Sequence, residues 1–204
     1  MTECSWLFSV EDITSIIQAF AVSVVAIPAF LGLNSWRKEH VGKRKVQLAE
    51  ETLSATYELQ SVIEWVRHPA SWGDEGNQRP NREEEPVNRR HLNDAYYSRI
   101  ARLKAESKQF SSLKAIKPIF RAYFGDEAEA SLQVLFTTRN QINLAVAALI
   151  NQRDGDELPQ DLRRHYESII WDFSSPDQPD EIRRDVNRAV SEIEAICVPI
   201  LRTK

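Results

Sequence analysis

Residues 46–68 read VQLAEETLSATYELQSVIEWVRH, and the apolar residues of this stretch recur with the repeat of an α-helix. One face is formed by positions at alternating spacings of four and three: Leu48, Thr52, Ala55, Leu59, Val62 and Val66. This spacing predicts an amphipathic helix whose apolar face packs against other helices. Pro69 follows, and we expect the helix to end before it.

An uncharged segment lies upstream of this helix. Residues 13–33 read ITSIIQAFAVSVVAIPAFLGL, twenty-one residues without a charged side chain. A helix of that length is about 31 Å long and matches a bilayer hydrocarbon core of about 30 Å. We therefore predict a transmembrane helix over residues 13–34, preceded by a short extracytoplasmic tail, residues 1–12. One alternative is a buried core helix. The other is a cleavable signal peptide, which the acidic residues before the run disfavour.

Basic residues follow the uncharged segment: Arg37, Lys38, Lys43, Arg44 and Lys45. The positive-inside rule predicts a single-pass protein of the inner (plasma) membrane, with the N-terminus outside and the C-terminal domain in the cytoplasm. Trp36 occupies a position typical of the membrane interface, and together with the basic run it is expected to contact the lipid bilayer. The alternative is a basic run that only stops translocation and binds no specific lipid.

Small and polar residues share one side of the uncharged segment: Ser15, Gln18, Ala19, Ser23 and Ala26. Small residues let helices approach closely in lipid, and a glutamine is tolerated against a partner helix or in a water-filled lumen. We expect this side to face the other subunits of a homo-oligomer or the lumen of a pore. Chance patterning in an ordinary membrane anchor is the alternative.

The rest of the chain, residues 35–204, is predicted to be a cytoplasmic bundle of about five helices. Beyond the first helix, helical repeats run over residues 89–117, 127–152, 158–173 and 179–201. Pro118 is expected to interrupt the helical pattern, and Asp126 to cap the helix that follows. Residues 69–88, rich in proline, glycine and charge, predict a long exposed loop. No stretch alternates as a strand does, so the predicted fold class is all-α.

Composition and motifs exclude several classes of function. The 204 residues carry a net charge of -4 and are 42% hydrophobic, which is the balance of a folded domain and not of a general polyanion binder. The sequence contains no GxGxxG, GxxxxGKS, GxxxxGKT, GxSxG or HExxH motif. We predict no cofactor and no metal, and we expect Cys4 and Cys197 to be unrelated thiols.

Two groups of polar and aromatic residues are candidates for function. Arg67, Trp72 and Arg79, in and beside the predicted loop, are expected to contact a protein partner or a neighbouring subunit. The alternative for Trp72 is that it caps the bundle. Arg139 and Asn140 interrupt an apolar helix and are the only candidates for catalysis. Their alternative is a buried pair satisfied by acidic side chains.

Three segments carry a resemblance to known proteins: SWRKEHVGKRKVQLAEETL (35–53), IEWVRHPASWGDEGNQR (63–79) and RNQI (139–142). They resemble small bacterial proteins with one N-terminal span, and among these the membrane-anchored HEPN-like accessory proteins of RNA-targeting CRISPR systems. The resemblance implies a HEPN-like fold, an oligomeric membrane pore that depolarises an infected cell, and an RNA-guided effector as a partner. HEPN nucleases place an arginine shortly before a histidine on one helix. Arg139 matches that arginine, but no histidine follows at the required spacing, so the motif for RNA cleavage is incomplete in this sequence.

Three functions are compatible with these expectations, and no reaction is predicted. The first is an oligomeric membrane protein that perturbs or opens a membrane in bacterial antiviral defence. The second is a membrane-tethered module that binds RNA, or a degenerate HEPN ribonuclease. The third is a scaffold that holds a protein partner, for which the loop at residues 69–88 is expected to be the essential segment.

Overall fold

Six α-helices form most of the part of the chain that the computed structural model describes, residues 10–151, 158–173 and 179–202. They are α1 (Val10–Arg67), α2 (Val87–Ala105), α3 (Ser107–Phe124), α4 (Asp126–Ile150), α5 (Gln160–Ile170) and α6 (Glu181–Arg202), with a 3-10 helix at Arg82–Glu84. These described ranges contain no strand. The prediction of an all-α fold is confirmed for them.

The chain divides into two units, Met1–Lys45 and Val46–Lys204. The first contains the N-terminal part of α1, where Lys43 and Glu39 form an ion pair across one helical turn at 2.7 Å. Trp36 stacks on His40 in the same unit, with ring centroids 5.4 Å apart. The second unit contains the rest of α1 and helices α2 to α6.

The predicted transmembrane helix over residues 13–34 is not supported. Within the described ranges, no helix combines the length and the apolar character needed to cross a membrane. The polar side chains of Thr14, Ser15 and Gln18 are exposed in this part of α1, and placing polar groups in hydrocarbon costs free energy. The predictions of a single-pass membrane protein and of a pore are corrected accordingly, whereas the location of the protein in the cell is not tested.

The residues predicted to face a pore or a lipid surface belong to this same unit. Ser15 and Gln18 are exposed, and the side chains of Ala19, Ser23 and Ala26 lie outside the described residues, as do residues 1–9 of the predicted tail. Arg44 is partly buried, and the other predicted interface residues are exposed: Trp36, Arg37, Lys38, Lys43 and Lys45.

The helix predicted over residues 46–68 is confirmed as the C-terminal part of α1, which ends at Arg67. Its apolar face is buried, and its neighbouring face bonds to α6. Tyr57 Oη donates to Glu194 at 2.6 Å, and Gln60 Nε2 donates to Asn187 at 3.1 Å. The partners follow in opposite order along the two helices, so this part of α1 runs antiparallel to α6.

The helix predicted over residues 89–117 is two helices, α2 and α3, separated at Glu106. The predicted interruption at Pro118 is wrong, because this proline lies inside α3 and the helix continues beyond it. Pro118 lacks an N–H group and leaves one carbonyl of the preceding turn without its helical donor. Phe120, two residues later, is fully buried and anchors this end of α3 in the core.

Gly125 makes the turn between α3 and α4 with φ 92, a value that favours glycine. The prediction that Asp126 caps α4 is wrong, because Asp126 is the first residue of the helix and the N-cap position is Gly125, which has no side chain. The Asp126 carboxylate instead accepts a hydrogen bond from Arg121 Nε at 2.6 Å. The turn therefore depends on the glycine and on this exposed ion pair.

Helix α4 is the centre of the second unit and packs against α2, α3, α5 and α6. Five apolar residues of its helical repeat are at most 1% exposed: Leu132, Leu135, Ile142, Val146 and Leu149. Removal of this apolar stripe from water is the main favourable term for folding of such a helix. The helix predicted over residues 158–173 is shorter in the structure and ends at Ile170, which is fully buried, whereas Leu162 and Phe173 are exposed.

Two leucines on α4 test the assignment of the core. Leu132 is 0% exposed and Leu144 is 70% exposed. We expect Leu132→Ala to lower the free energy of unfolding by about 2–5 kcal/mol, because it leaves a cavity. Leu144→Ala is expected to change it by no more than about 0.5 kcal/mol. Urea denaturation followed by circular dichroism measures both, and equal effects would contradict the core described here.

Candidate functional site

An arginine of α2 binds carbonyl groups in the last turn of α1 and just beyond it, where the regular helical hydrogen bonds end. Arg102 Nη1 donates to the carbonyl oxygens of Trp65 at 3.0 Å and His68 at 3.1 Å. Its Nη2 donates to the carbonyl oxygen of Ala70 and to the Glu75 carboxylate, both at 2.7 Å. Arg102 is buried, so this one side chain holds the chain in place as it leaves α1.

Arg99, on the same face of α2, binds the next carbonyl groups. It is fully buried, and its Nη2 donates to the carbonyl oxygens of His68 at 2.5 Å and Pro69 at 3.0 Å. Burial, together with the neighbouring charge of Arg102, lowers the pKa of Arg99 to about 10. The guanidinium therefore keeps its charge at neutral pH and acts as a strong donor to neutral carbonyl groups.

Arg79 fastens the later part of the loop. It is buried, and it donates to Asp94 at 2.7 Å and to Glu85 at 2.6 Å. Arg82 also donates to Asp94, from Nε at 3.0 Å and from Nη2 at 2.9 Å. Burial by itself raises the pKa of Asp94, but the hydrogen bonds from Arg82 and Arg79 outweigh that effect and leave the pKa below its ordinary value.

Gly76 brings the loop backbone against α2. A Cβ atom at this position would lie 2.1 Å from the carbonyl oxygen of Asp94, far inside van der Waals contact. Glycine is therefore required for this close approach. Residues 68–86, held by the four arginines and by this contact, are called the clamped loop below. The predicted loop is present and mostly exposed, but Gly76 and Arg79 within it are buried.

Three exposed aromatic rings stand together where α1 meets the clamped loop, and we call Trp65, His68 and Trp72 the aromatic stack. The rings of Trp65 and Trp72 have centroids 5.5 Å apart and an interplanar angle of 26°. His68 stacks on Trp72 at 6.2 Å and 18°. Trp65 is 40% exposed and Trp72 is 59% exposed. The Arg102 guanidinium lies 4.2 Å from the Trp65 ring centroid and supports the stack by a cation–π contact.

A cavity of about 600 Å³, called the loop cavity below, opens beside the aromatic stack, between the clamped loop and the start of α2. Its lining residues are Ser71, Trp72, Gly73, Gly76, Asn77, Arg82, Val87, Arg90, His91, Asp94 and Ala95. The volume falls in the range of sites that hold a small ligand or a few side chains. Trp72 belongs to both the stack and the cavity, so the two features form one continuous surface.

The three predicted partner residues have different environments. Trp72 is exposed, as a partner residue must be, whereas Arg67 and Arg79 are buried. Arg67 Nη1 donates to Asp180 at 2.8 Å, and its other nitrogens donate to carbonyl oxygens at the end of α5, including that of Ile169 at 2.9 Å. Arg67 and Arg79 thus hold chain segments in place, and the expectation that they contact a partner stays a prediction.

Arg139 and Asn140 lie on α4 and are not among the residues that line the loop cavity. The Arg139 guanidinium lies 4.8 Å from the ring centroid of Phe110, and its Nε is buried without a hydrogen-bond partner among the described residues. Asn140 is exposed. These contacts indicate packing of Arg139 on an aromatic ring, and they do not test the prediction of catalysis.

Cys197 is the cysteine that lies within the described residues. Within them, no group of three or more His, Cys, Asp or Glu side chains is placed to hold a metal ion. Cys197 is buried on α6, and burial raises the pKa of its thiol to about 11. The thiol is therefore protonated and unreactive at neutral pH. Cys4 lies outside the described residues.

Sequence reasoning missed Arg99 and Arg102, although a signal for them exists. Both arginines fall in the same helical repeat of α2 as the buried Tyr96 and Leu103. A charged residue inside an apolar repeat must find partners when it is buried, and this is the signal that could have revealed them. Arg79 carries no such signal, because its partners depend on how the loop folds.

No protein-family model, curated protein or solved structure matches the chain. The resemblance to HEPN-like accessory proteins therefore stays a prediction. The function has to be inferred from the clamped loop, the aromatic stack and the loop cavity.

Gly76→Ala tests the close contact between the clamped loop and α2. We expect the added methyl group to push the loop off α2 and to increase protease cleavage within residues 68–86 about tenfold, since cleavage follows the population of the open form. Limited proteolysis with mass spectrometry measures this. Gly42→Ala is the control: a Cβ there has no neighbour within 4 Å, and alanine favours a helix. Equal cleavage in the two variants would contradict the contact.

Protonation of Asp94 is expected to release the clamped loop. Because its pKa is lowered on folding, its contribution to stability is present above the ordinary pKa of about 3.9 and is lost as the pH falls through the lower folded value. Hydrogen exchange of residues 70–86 should therefore become faster below about pH 4, after correction for intrinsic rates.

Two substitutions test the role of this carboxylate. Asp94→Asn should show fast exchange at neutral pH as well. Asp161→Asn, a change at a fully exposed carboxylate, should behave like the unmodified protein. Protection that persists in Asp94→Asn would contradict the role of this carboxylate.

Proposed function

We propose that residues 46–204 form a helical scaffold domain that binds a protein partner through the aromatic stack and the loop cavity. The observation that supports this most strongly is the exposure of Trp65 and Trp72 beside a loop that buried arginines hold in place. Tryptophan residues that become buried on binding are among the largest contributors to the affinity of protein interfaces. An exposed pair next to a cavity is the arrangement that such an interface uses.

The contacts of Arg102 hold the aromatic stack in place, and this favours binding. Arg102 contacts the Trp65 ring and also binds the carbonyl oxygen of Ala70, two residues before Trp72. The rings are therefore held in the stacked arrangement before any partner arrives. A surface that is already ordered loses less conformational entropy on binding and so binds more tightly for the same contacts.

The other predicted functions have less structural support. The membrane-perturbing function is not carried forward, because no helix in the described ranges can cross a membrane. The RNA function has Arg139 and Asn140 as its candidates, and Arg139 packs on Phe110. The scaffold function was tied to the loop at residues 69–88, and Trp72 and much of the loop cavity belong to that loop. Homo-oligomerisation stays a prediction, with a second copy of the chain as one form of protein partner.

Photo-crosslinking at position 72 tests the proposed function. We expect a photoreactive phenylalanine derivative in place of Trp72 to form a discrete adduct with a partner protein in the cells that produce this protein. The adduct is separated by electrophoresis and its components are identified by mass spectrometry. Trp72→Ala in the otherwise unmodified chain is expected to weaken binding of that partner about 30-fold, which corresponds to about 2 kcal/mol.

The matched control is the same photoreactive group at position 144, an exposed leucine position on α4. It should give no specific adduct. If positions 72 and 144 give the same adducts, or if the identified partner binds Trp72→Ala with unchanged affinity, the proposed function is wrong. An adduct with a second copy of this chain would identify the partner as the protein itself.

A further inference from the structure

One carboxylate lies between two arginines at the edge of the loop cavity. The Nη1 atom of Arg82 lies 3.6 Å from Oε1 of Glu83, and the Nη1 atom of Arg90 lies 3.6 Å from Oε2 of the same group. Both distances are too long for hydrogen bonds. The Glu83 side chain is 82% exposed. The carboxylate is therefore attracted to the two guanidinium groups without being bound tightly to either.

The other side-chain nitrogens of these arginines already donate hydrogen bonds. Arg82 donates from Nε and Nη2 to Asp94. Arg90 donates from Nε to the carbonyl oxygen of Glu85 at 3.0 Å and from Nη2 to the carbonyl oxygen of Glu83 at 2.7 Å. These bonds fix the two guanidinium groups and leave both Nη1 atoms facing one carboxylate position. Fixed guanidinium donors of this kind match the planar shape of a carboxylate.

The walls of the loop cavity complement this position. Trp72 and Val87 are apolar residues of the cavity wall, and Val87 is 78% exposed. The charged residues in the lining are Arg82, Arg90 and Asp94, so two cations face one anion and one positive charge is left over. A single carboxylate beside an apolar side chain balances that charge and covers that wall, whereas a phosphate group carries more negative charge than the cavity balances.

We propose that the loop cavity binds an acidic side chain of the partner together with a neighbouring apolar side chain, and that Glu83 occupies the carboxylate position until the partner displaces it. The partner carboxylate binds the Nη1 atoms of Arg82 and Arg90, and its apolar neighbour packs on Trp72 and Val87. Because Glu83 is exposed and is not hydrogen-bonded to either Nη1 atom, it leaves the position by rotation of its own side chain. This inference rests on the proposed function and specifies the chemistry of the partner.

Peptide selection followed by measurement of affinity tests the inference. A random peptide library of about twelve residues, displayed on phage, is panned against the full chain, and the Kd of the selected peptides is measured by fluorescence anisotropy. We expect the selected peptides to contain Asp or Glu next to a large apolar residue. Replacement of that acidic residue by its amide should weaken binding about tenfold or more.

Glu83→Gln and Glu84→Gln form a matched pair, because both remove one negative charge from the 3-10 helix and Glu84 has no ion pair among the described residues. We expect Glu83→Gln to strengthen binding of the acidic peptides about three- to tenfold, since it removes the competing carboxylate. Glu84→Gln should change the affinity by less than about twofold. The pair avoids substitution of Arg90, whose bonds to backbone carbonyl groups make a folding defect difficult to separate from a binding defect.

Several results would overturn the inference. They are equal effects of Glu83→Gln and Glu84→Gln, selected peptides without acidic residues, and no peptide whose binding requires Trp72. If position 72 still crosslinks a partner in these cases, the proposed function stands and only the chemistry assigned to the cavity is wrong. A single-stranded RNA of about twelve nucleotides that binds more tightly than any peptide and loses binding in Trp72→Ala would assign the cavity to phosphate groups instead.

Discussion

The carbonyl groups in the last turn of α1 and just beyond it, together with the buried arginines that bind them, are the constraint on which this site depends. Arg99 and Arg102 come from α2 and bind the carbonyl groups of residues 65–70, while Arg67 binds those at the end of α5. A helix end buried without donors would leave several polar groups unsatisfied. A guanidinium in the same place without acceptors would be a buried charge without partners. The carbonyl groups and the guanidinium groups satisfy each other. Their hydrogen bonds join α1, α2 and α5 at one junction.

This polar junction complements an apolar core of the usual kind. The stripe on α4 contributes stability through burial and tolerates other apolar residues of similar volume. The junction contributes directional contacts, because a guanidinium with several fixed donors accepts few arrangements of carbonyl oxygens. The buried apolar surface therefore stabilises the bundle in general, and the arginines select one path for the chain between α1 and α2. The clamped loop is ordered for that reason, although its composition is that of an exposed loop.

The surface proposed for binding follows from the same contacts. Arg102 supports Trp65 and holds the backbone next to Trp72, so the aromatic stack is exposed and ordered at once. At the loop cavity, the Asp94 carboxylate accepts hydrogen bonds from Arg79 and Arg82. The Nη1 atom of Arg82 is not used in these bonds and faces Glu83. The charged residues that hold the loop in place thus also create the carboxylate position that Glu83 occupies. Structure and recognition share the same side chains here.

The sequence by itself determined the helices that are held by local periodicity. The apolar repeats over residues 46–66 and along α4 and α6 could be read directly, because a repeat of 3.6 residues is a local property of the chain. The same reading placed one helix across Glu106, where the chain forms two, and it inferred a membrane span from an uncharged stretch that the described structure does not support. Trp72 was identified from the sequence as a candidate contact.

Only the tertiary structure decided which arginines are buried, how the loop is held, and that Glu83 lies between Arg82 and Arg90. The hydrogen bond from Arg102 to Trp65 joins residues 37 positions apart, and no pattern within a helical window records a contact over that distance.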